Sequence, residues 1–363
     1  MLALTNSFYF DEGTKISGKN IFIENNIIVE ISEREIPIDY TRVECDGGLV
    51  VPSFIDLQIY GSGGNLFSAY PTATTLAQMD ADLLAKGTAG FLACVATNSP
   101  EIVIEAIKAA KEHRLAAKTF LGLHLEGPYL NAKRRGAHIA SFIRKAKLDE
   151  LKKLIDLAEG EIKMMTIAPE LQDDDVIRFL LENNVILSMG HSDATFEQAT
   201  EAYNKGITTT THLFNAMPSI HHREPNLPTA FFNHKSAMSS IIVDGNHVNY
   251  EIVKLSHKLA GDRLFLITDA VTACNIGPYQ HQLKGDKFIT PDGTLSGSNI
   301  TMLQAVQNCV SHCGISITDA IDMASLHPAR LIGQDNFKGK IKVGYQADLL
   351  LLDESLKLKK VFS

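Results

Sequence analysis

The sequence predicts an α/β chain: a (β/α)8 barrel of the TIM type, with a small β-sandwich domain built from both chain termini. Three observations carry this expectation. Eight apolar or β-branched runs alternate with segments of helical periodicity, the pattern of a parallel sheet. Polar residues interrupt these runs at their C-terminal ends, and in a barrel those ends converge on one mouth. Short strand-turn-strand patterns sit at both ends of the chain, and neither is large enough to form a core without the other.

Residues 21–31, IFIENNIIVEI, read as a strand, a tight Asn-Asn turn and a second strand. The barrel runs follow: LVVPSFIDLQI (49–59), GFLACVAT (90–97), TFLGLHLEG (119–127) and IKMMTIAPE (162–170). VILSMGHSD (185–193), ITTTTHLF (207–214), MSSIIVDG (238–245) and RLFLITDA (263–270) complete the set. Helical periodicity marks EIVIEAIKAAKEH (101–113), DDDVIRFLLEN (173–183) and TFEQATEAYNKG (195–206). Asp and Thr lie near their starts, and Gly206 closes the last one. GSGG (61–64) reads as a flexible loop and LHPARLIG (326–333) as a structural helix. The tail, residues 341–362, returns to strand, turn and strand. The expected division is residues 1–50 plus 335–363 for the small domain and 51–334 for the barrel.

The formal charge of −8 argues against a nucleic-acid surface, while a small anion needs only local positive charge. No apolar run is long enough to span a membrane. The opening MLALTNSFYF lacks a basic n-region and an h-region, so no signal peptide and a cytoplasmic location are expected. There the five cysteines would be buried free thiols.

The polar exceptions at the strand ends are Asp56, Gln58, Glu126, His191, His212, Asp244 and Asp269. A histidine alone at a strand end usually only makes hydrogen bonds. Glu126, His191 and His212 together form an open donor set for a catalytic divalent metal, with water completing the shell. Asp269 is either a helix N-cap or a carboxylate that takes a proton from water and returns it to a leaving group. Asp56 is either a supporting partner or a turn cap. The loop HLFNAMPSIHHREP (212–225) offers Asn215, the backbone at Ala216, and Arg223, which suits a phosphate. VDGNH (243–247) puts His247 just past strand seven. AKRRGAH (132–138) either brings three basic residues and His138 to the mouth or forms a solvated loop. GTLSGS (293–298) is a turn able to approach a ligand by its backbone.

The motifs LGLHLEGPYLN, SMGHSDAT, THLFNAMP, HREP, VDGNHV, LITDAV and GTLSGS, in that order, resemble those of the N-acetylglucosamine-6-phosphate deacetylases of the amidohydrolase superfamily. The resemblance runs over essentially the whole chain. It implies hydrolysis of an N-acetyl group, with Glu126, His191 and His212 as metal ligands and Asp269 as general base and acid. It implies substrate positions at Ala137, His138, Asn215, Ala216, Arg223, His247, Leu295, Ser296 and Gly297. It also implies a homodimer, with Arg223 serving the neighbouring subunit. Many superfamily members carry HxH at the end of strand one and bind two metals. Here Gln58 and Tyr60 stand at those places, and IAPE (167–170) offers no lysine for carboxylation. The expected cofactor is therefore one divalent metal per subunit, zinc or iron, with Gln58 as its neighbour. The expected partner is an amino-sugar phosphate, with no nucleic acid and no membrane. Rival readings are the galactosamine epimer as substrate, a non-catalytic sugar-phosphate sensor, and a deaminase of the same superfamily.

Overall fold

Asn25 and Asn26 both take left-handed backbone, with φ of 48° and 60°. A two-residue turn of this kind matches the right-handed twist of the strands it joins, Asn20–Glu24 and Ile27–Ser32. The computed structural model describes residues 1–363. The hairpin belongs to a four-stranded sheet ordered Ile27–Ser32, Asn20–Glu24, Leu2–Thr5, Thr41–Glu44. A five-stranded sheet is ordered Leu358–Phe362, Leu349–Leu352, Leu49–Pro52, Phe8–Asp11, Thr14–Ser17. Leu4, Ile21 and Ile28 of the first sheet share one core with Val50, Leu349 and Leu351 of the second, so the two sheets form a sandwich. The strands from the C-terminal end pair directly with those from the N-terminal end.

Eight parallel strands form the barrel sheet. They are β1 (Phe54–Ile59), β2 (Thr88–Ala96), β3 (Phe120–Glu126), β4 (Ile162–Ile167), β5 (Ile186–Met189), β6 (Thr209–Thr210), β7 (Met238–Ile241) and β8 (Leu264–Leu266), hydrogen-bonded in sequence order. Helices follow each in turn: α1 (Ala73–Ala85), α2 (Pro100–His113), α3 (Leu148–Ala158), α4 (Asp174–Glu182), α5 (Phe196–Asn204), α6 (Leu227–Asn233), α7 (Tyr250–Ala260) and α8 (Met302–Ser311). Thr195 caps α5 in a reciprocal box with Gln198, the expected N-terminal signal. The ring closes just past β8, where Ile59 bridges Ala270 in parallel. At this seam Asp269 N–H donates to Gln58 O at 2.9 Å and Tyr60 N–H to Ala270 O at 2.9 Å. No helix is long and apolar enough to cross a membrane.

The structure corrects several sequence expectations. The run 49–59 divides: Leu49–Pro52 joins the sandwich and Phe54–Ile59 the barrel, with Ser53 N–H bonded to Asp348 O at 2.9 Å between them. The run 207–214 keeps only Thr209–Thr210 as strand, because His212 and Phe214 turn to φ of 32° and 76°. GSGG is no loose loop: Gly61–Ser62 and Asn65–Leu66 pair as a short hairpin about Gly63 and Gly64. All five cysteines are free, but Cys274 is only partly buried.

The barrel interior is apolar at Ile55, Leu57, Leu92, Met164, Met238 and Phe265, contributed from around the ring. Above them runs a buried polar chain. His124 Nδ1–H donates to Leu57 O at 3.0 Å, a bond that crosses the interior because β1 and β3 are not neighbours. Its Nε2 accepts from Thr166 Oγ1 at 2.8 Å, and Thr166 meets Thr211 Oγ1 at 2.7 Å. Burial lowers His124 from 6.5 to about 4, so the imidazole is neutral in the fold. Its stabilising contribution is full above pH 6.5 and is lost as pH falls toward about 4. Metal-free protein should therefore lose stability along that limb, on the order of 3 kcal/mol from this group. Denaturant titrations at stepped pH check it: His124→Gln should flatten the limb, and an unchanged slope would assign the acid loss to other groups.

Candidate active site

Glu126 is the last residue of β3, and the chain must leave the mouth sharply after it. Gly127 makes the turn at φ of 86°, and a Cβ there would lie 2.1 Å from Thr97 Oγ1, so only glycine fits. The Gly127–Pro128 bond is cis. The Glu126 carboxylate is fully enclosed and each oxygen has its own partners. Oε2 accepts from the Tyr60 hydroxyl and from His138 Nε2, the latter at 3.0 Å. Oε1 faces His212 Nε2 at 3.0 Å, His191 Nε2 at 3.2 Å and Gln58 Nε2 at 3.1 Å.

His191 and His212 each stand two residues past the ends of β5 and β6, both in left-handed backbone at φ of 48° and 32°. Such conformations cost about 1–3 kcal/mol each for ordinary residues and persist only where neighbours over-determine them. For His212 the neighbour is Ser240 Oγ, which accepts its N–H at 2.8 Å. For His191 it is the Arg134 carbonyl, which takes Nδ1–H at 2.8 Å. That bond fixes the His191 tautomer and leaves a lone pair on Nε2.

The two Nε2 atoms lie 3.2 Å apart, with the Glu126 oxygen completing a triangle. These three buried residues are the only group of such donors able to hold a metal ion. A tetrahedral zinc with bonds of about 2.0–2.1 Å sets its ligands roughly 3.3 Å apart, so the triangle fits a first shell with modest expansion. Burial opposes ionisation of Glu126, but His191 and His138 beside it hold the carboxyl well below its usual range. Burial and then the neighbouring His138 lower His191, keeping it neutral. An ionised carboxylate and a neutral imidazole are the protonation states that metal ligation requires.

Asp269 enters across the seam, at φ of 53°. Its Oδ1 accepts from Gln58 Nε2 at 2.7 Å, so one amide group donates to both Asp269 and Glu126. Burial pushes the Asp269 carboxyl well above its usual range; His212 opposes this, while Glu126 and Asp56 add to it. Asp56 does not line the cavity. It is buried behind Gln58, accepts Gln58 N–H and Thr268 N–H at 3.2 Å each and the Thr268 hydroxyl, and is raised to about 6 by burial.

A cavity opens above the donor triangle. Of the residues singled out from sequence, Ala137, His138, Asn215, Ala216 and His247 line it, as do Leu295, Ser296 and Gly297. His247 Nδ1 pairs with Asp244 Oδ2 at 2.6 Å, which leaves Nε2 for a ligand. Burial acts to raise Asp244, but His247 and two backbone N–H groups outweigh it and hold it below its ordinary value. Gly297 backbone carries φ of 84°. Arg223 is not brought to the cavity: it lies in the exposed stretch 221–225. No Lys or Arg lines the wall at all. Lys133 and Arg134 pair with Asp193 at 3.5 and 2.7 Å, and Arg135 donates to His138 O at 3.1 Å.

Sequence reasoning missed Tyr279 and His281, which also line the cavity, and the contact of Tyr60 with Glu126. Tyr279 and His281 belong to the excursion between β8 and α8, which folds back over the mouth. Tyr279 donates to Thr97 O at 2.5 Å, and His281 Nδ1 meets Ser296 Oγ at 3.0 Å. Nothing in the local pattern YQHQLKG marks this return.

The family model of the amidohydrolase family matches residues 49–363. The chain is 33% identical over 340 residues to the N-acetylglucosamine-6-phosphate deacetylase of Haemophilus influenzae, covering 90% of this chain and 89% of that protein. It is 31% identical to the N-acetylgalactosamine-6-phosphate deacetylase of Escherichia coli O157:H7, with 90% and 89% covered. Among solved structures, an alanine mutant of the Mycobacterium smegmatis N-acetyl-D-glucosamine-6-phosphate deacetylase in complex with N-acetyl-D-glucosamine-6-phosphate superposes with a TM-score of 0.91. That match has 31% identity and covers 99% of this chain and 97% of that one. Barrel, sandwich and ordered motifs thus agree with the family model: the chain belongs to the amidohydrolase family, in its N-acetylglucosamine-6-phosphate deacetylase branch.

Proposed function

We propose that this enzyme hydrolyses the N-acetyl group of N-acetyl-D-glucosamine 6-phosphate to D-glucosamine 6-phosphate and acetate, a step of amino-sugar catabolism in the cytoplasm. The observation that carries the reading is the Glu126–His191–His212 triangle with Asp269 joined to it through Gln58, at one barrel mouth under one cavity. Glu126, His191 and His212 would hold one divalent ion per subunit, zinc or iron. When bound, such an ion polarises the amide carbonyl and makes water more acidic.

The residues do the rest. Asp269 accepts a proton from water as the water oxygen attacks the acetamide carbon. His247, oriented by Asp244, directs Nε2 toward the acetamide or sugar. As the C–N bond breaks, Asp269 returns the proton to the amine nitrogen, so acetate and free amine leave. The raised tendency of Asp269 to hold a proton suits this two-way transfer, and a cation at the triangle would bring it back toward ionisation. Asn215 and the Ala216 backbone orient the sugar phosphate, and remote binding energy of this kind fixes the acetamide over the triangle. The bare wall offers a phosphate no cation of its own. Arg223 of a second protomer in a homodimer would supply it.

Acetate release from N-acetylglucosamine 6-phosphate, measured before and after chelation, tests the assignment. Release should stop on chelation and return with zinc or iron. Faster turnover of the galactosamine epimer would move the assignment to that sugar; tight binding without release would make the protein a sensor; ammonia would make it a deaminase. Asp269→Asn should keep metal and ligand binding while kcat drops by about 10²–10⁴. Near-wild-type turnover in that variant would remove Asp269 from the chemistry.

A further inference from the structure

Glu170 lies just past β4, in the short turn Pro169–Leu171, and it does not line the cavity. Its partly buried carboxylate makes no ion pair. Instead it accepts three hydrogen bonds from neutral donors: Asn131 Nδ2 at 2.9 Å and Asp193 N–H at 2.8 Å on Oε1, and Ser192 Oγ at 2.8 Å on Oε2. Those donors come from the two loops that hold His191. Ser192 and Asp193 follow His191 directly in the chain. Asn131 N–H donates to His191 O at 2.9 Å. Asn131 Oδ1 also caps the turn Ala132–Arg134 through Lys133 N–H at 3.0 Å. The carbonyl of Arg134, at the end of that turn, is the acceptor of His191 Nδ1–H.

We propose that Glu170 is a positioning residue for the metal site, tying the loop after β3 to the loop after β5 so that His191 presents Nε2 to Glu126 and His212. The inference rests on the metal reading given above. His191 sits in a left-handed backbone conformation that is uphill for a residue with a side chain. Its carbonyl, its ring and its two following residues are all restrained by groups that converge on one carboxylate. A carboxylate serves here because its two oxygens accept all three bonds at once, with no proton of their own in the way. Removing it leaves Asn131, Ser192 and the Asp193 amide without that acceptor and loosens the two loops that set the direction of the ring. The Asp193–Arg134 ion pair still links the same loops, so the effect falls on geometry more than on folding.

The test compares wild type, Glu170→Gln, Glu170→Ala and His191→Ala as metal-free proteins, by zinc competition titration and thermal melting. Partners behind a ligating histidine typically affect metal affinity about 10–100-fold, and Glu170→Gln should weaken zinc binding within that range while its metal-free Tm stays near that of wild type. In cobalt-loaded protein the visible absorption of Glu170→Gln should differ from wild type. Zinc affinity in Glu170→Gln within twofold of wild type overturns the proposal, whatever Glu170→Ala does. A lowered metal-free Tm with unchanged zinc affinity also overturns it, because it marks a purely structural residue. If His191→Ala binds zinc as well as wild type does, the metal reading itself fails, which is a separate result from a failure at Glu170.

Discussion

Glu126 is an ionised carboxylate enclosed at the centre of the barrel mouth, and most of the site is arranged around that fact. A buried charge is tolerable only when its lone pairs are occupied. One oxygen is satisfied by Tyr60 and His138, and the other is left to Gln58 and two imidazoles. The division matters chemically. The first oxygen anchors the carboxylate, and the second is aimed at the place where His191 and His212 also aim. A cation there would answer the remaining negative charge and separate two nitrogen atoms that otherwise crowd each other.

The same economy joins chemistry to topology at the barrel seam. Asp269 donates its backbone N–H to Gln58 while its side chain accepts from the Gln58 amide. The contact that closes the sheet thus also sets the distance between the proton acceptor and the donor triangle. Left-handed backbone at His191, His212 and Asp269 shows that the mouth is locally strained, and each of the three is braced by a polar partner from elsewhere in the barrel: the Arg134 carbonyl of the loop after β3, Ser240 of β7 and Gln58 of β1.

Much of this was legible in the sequence because a polar residue that ends an apolar run is a local signal. Glu126, His191, His212 and Asp269 were found that way, and their meeting followed from the expected barrel. What failed to show was anything created by the path of a loop. Tyr279 and His281 reach the cavity only because a long excursion turns back on itself. Arg223 shares the loop that begins at His212, and the chain carries it outward to solvent, away from the cavity of its own barrel. GSGG looked flexible from composition, although the pairing of its flanks makes it a hairpin. Glu170 stood in the sequence only as the end of a strand without a lysine. Its three acceptor bonds depend on two loops more than twenty residues away in either direction.

The sandwich has a consequence for how the chain comes off the ribosome. Leu49–Pro52 finds its main partner in Leu349–Leu352, with only Phe8 opposite Leu49 on its other side. The partner is made after the whole barrel. At about 5–20 residues per second, the apolar edge at Val50 and Val51 waits roughly 15–60 s for its neighbour. During that interval it is an open strand edge of the kind that pairs with the wrong chain. The barrel can close while the nascent sheet beside it is still unfinished, so the vulnerable moment in this protein's biogenesis lies at the sandwich, well away from the residues that do the chemistry.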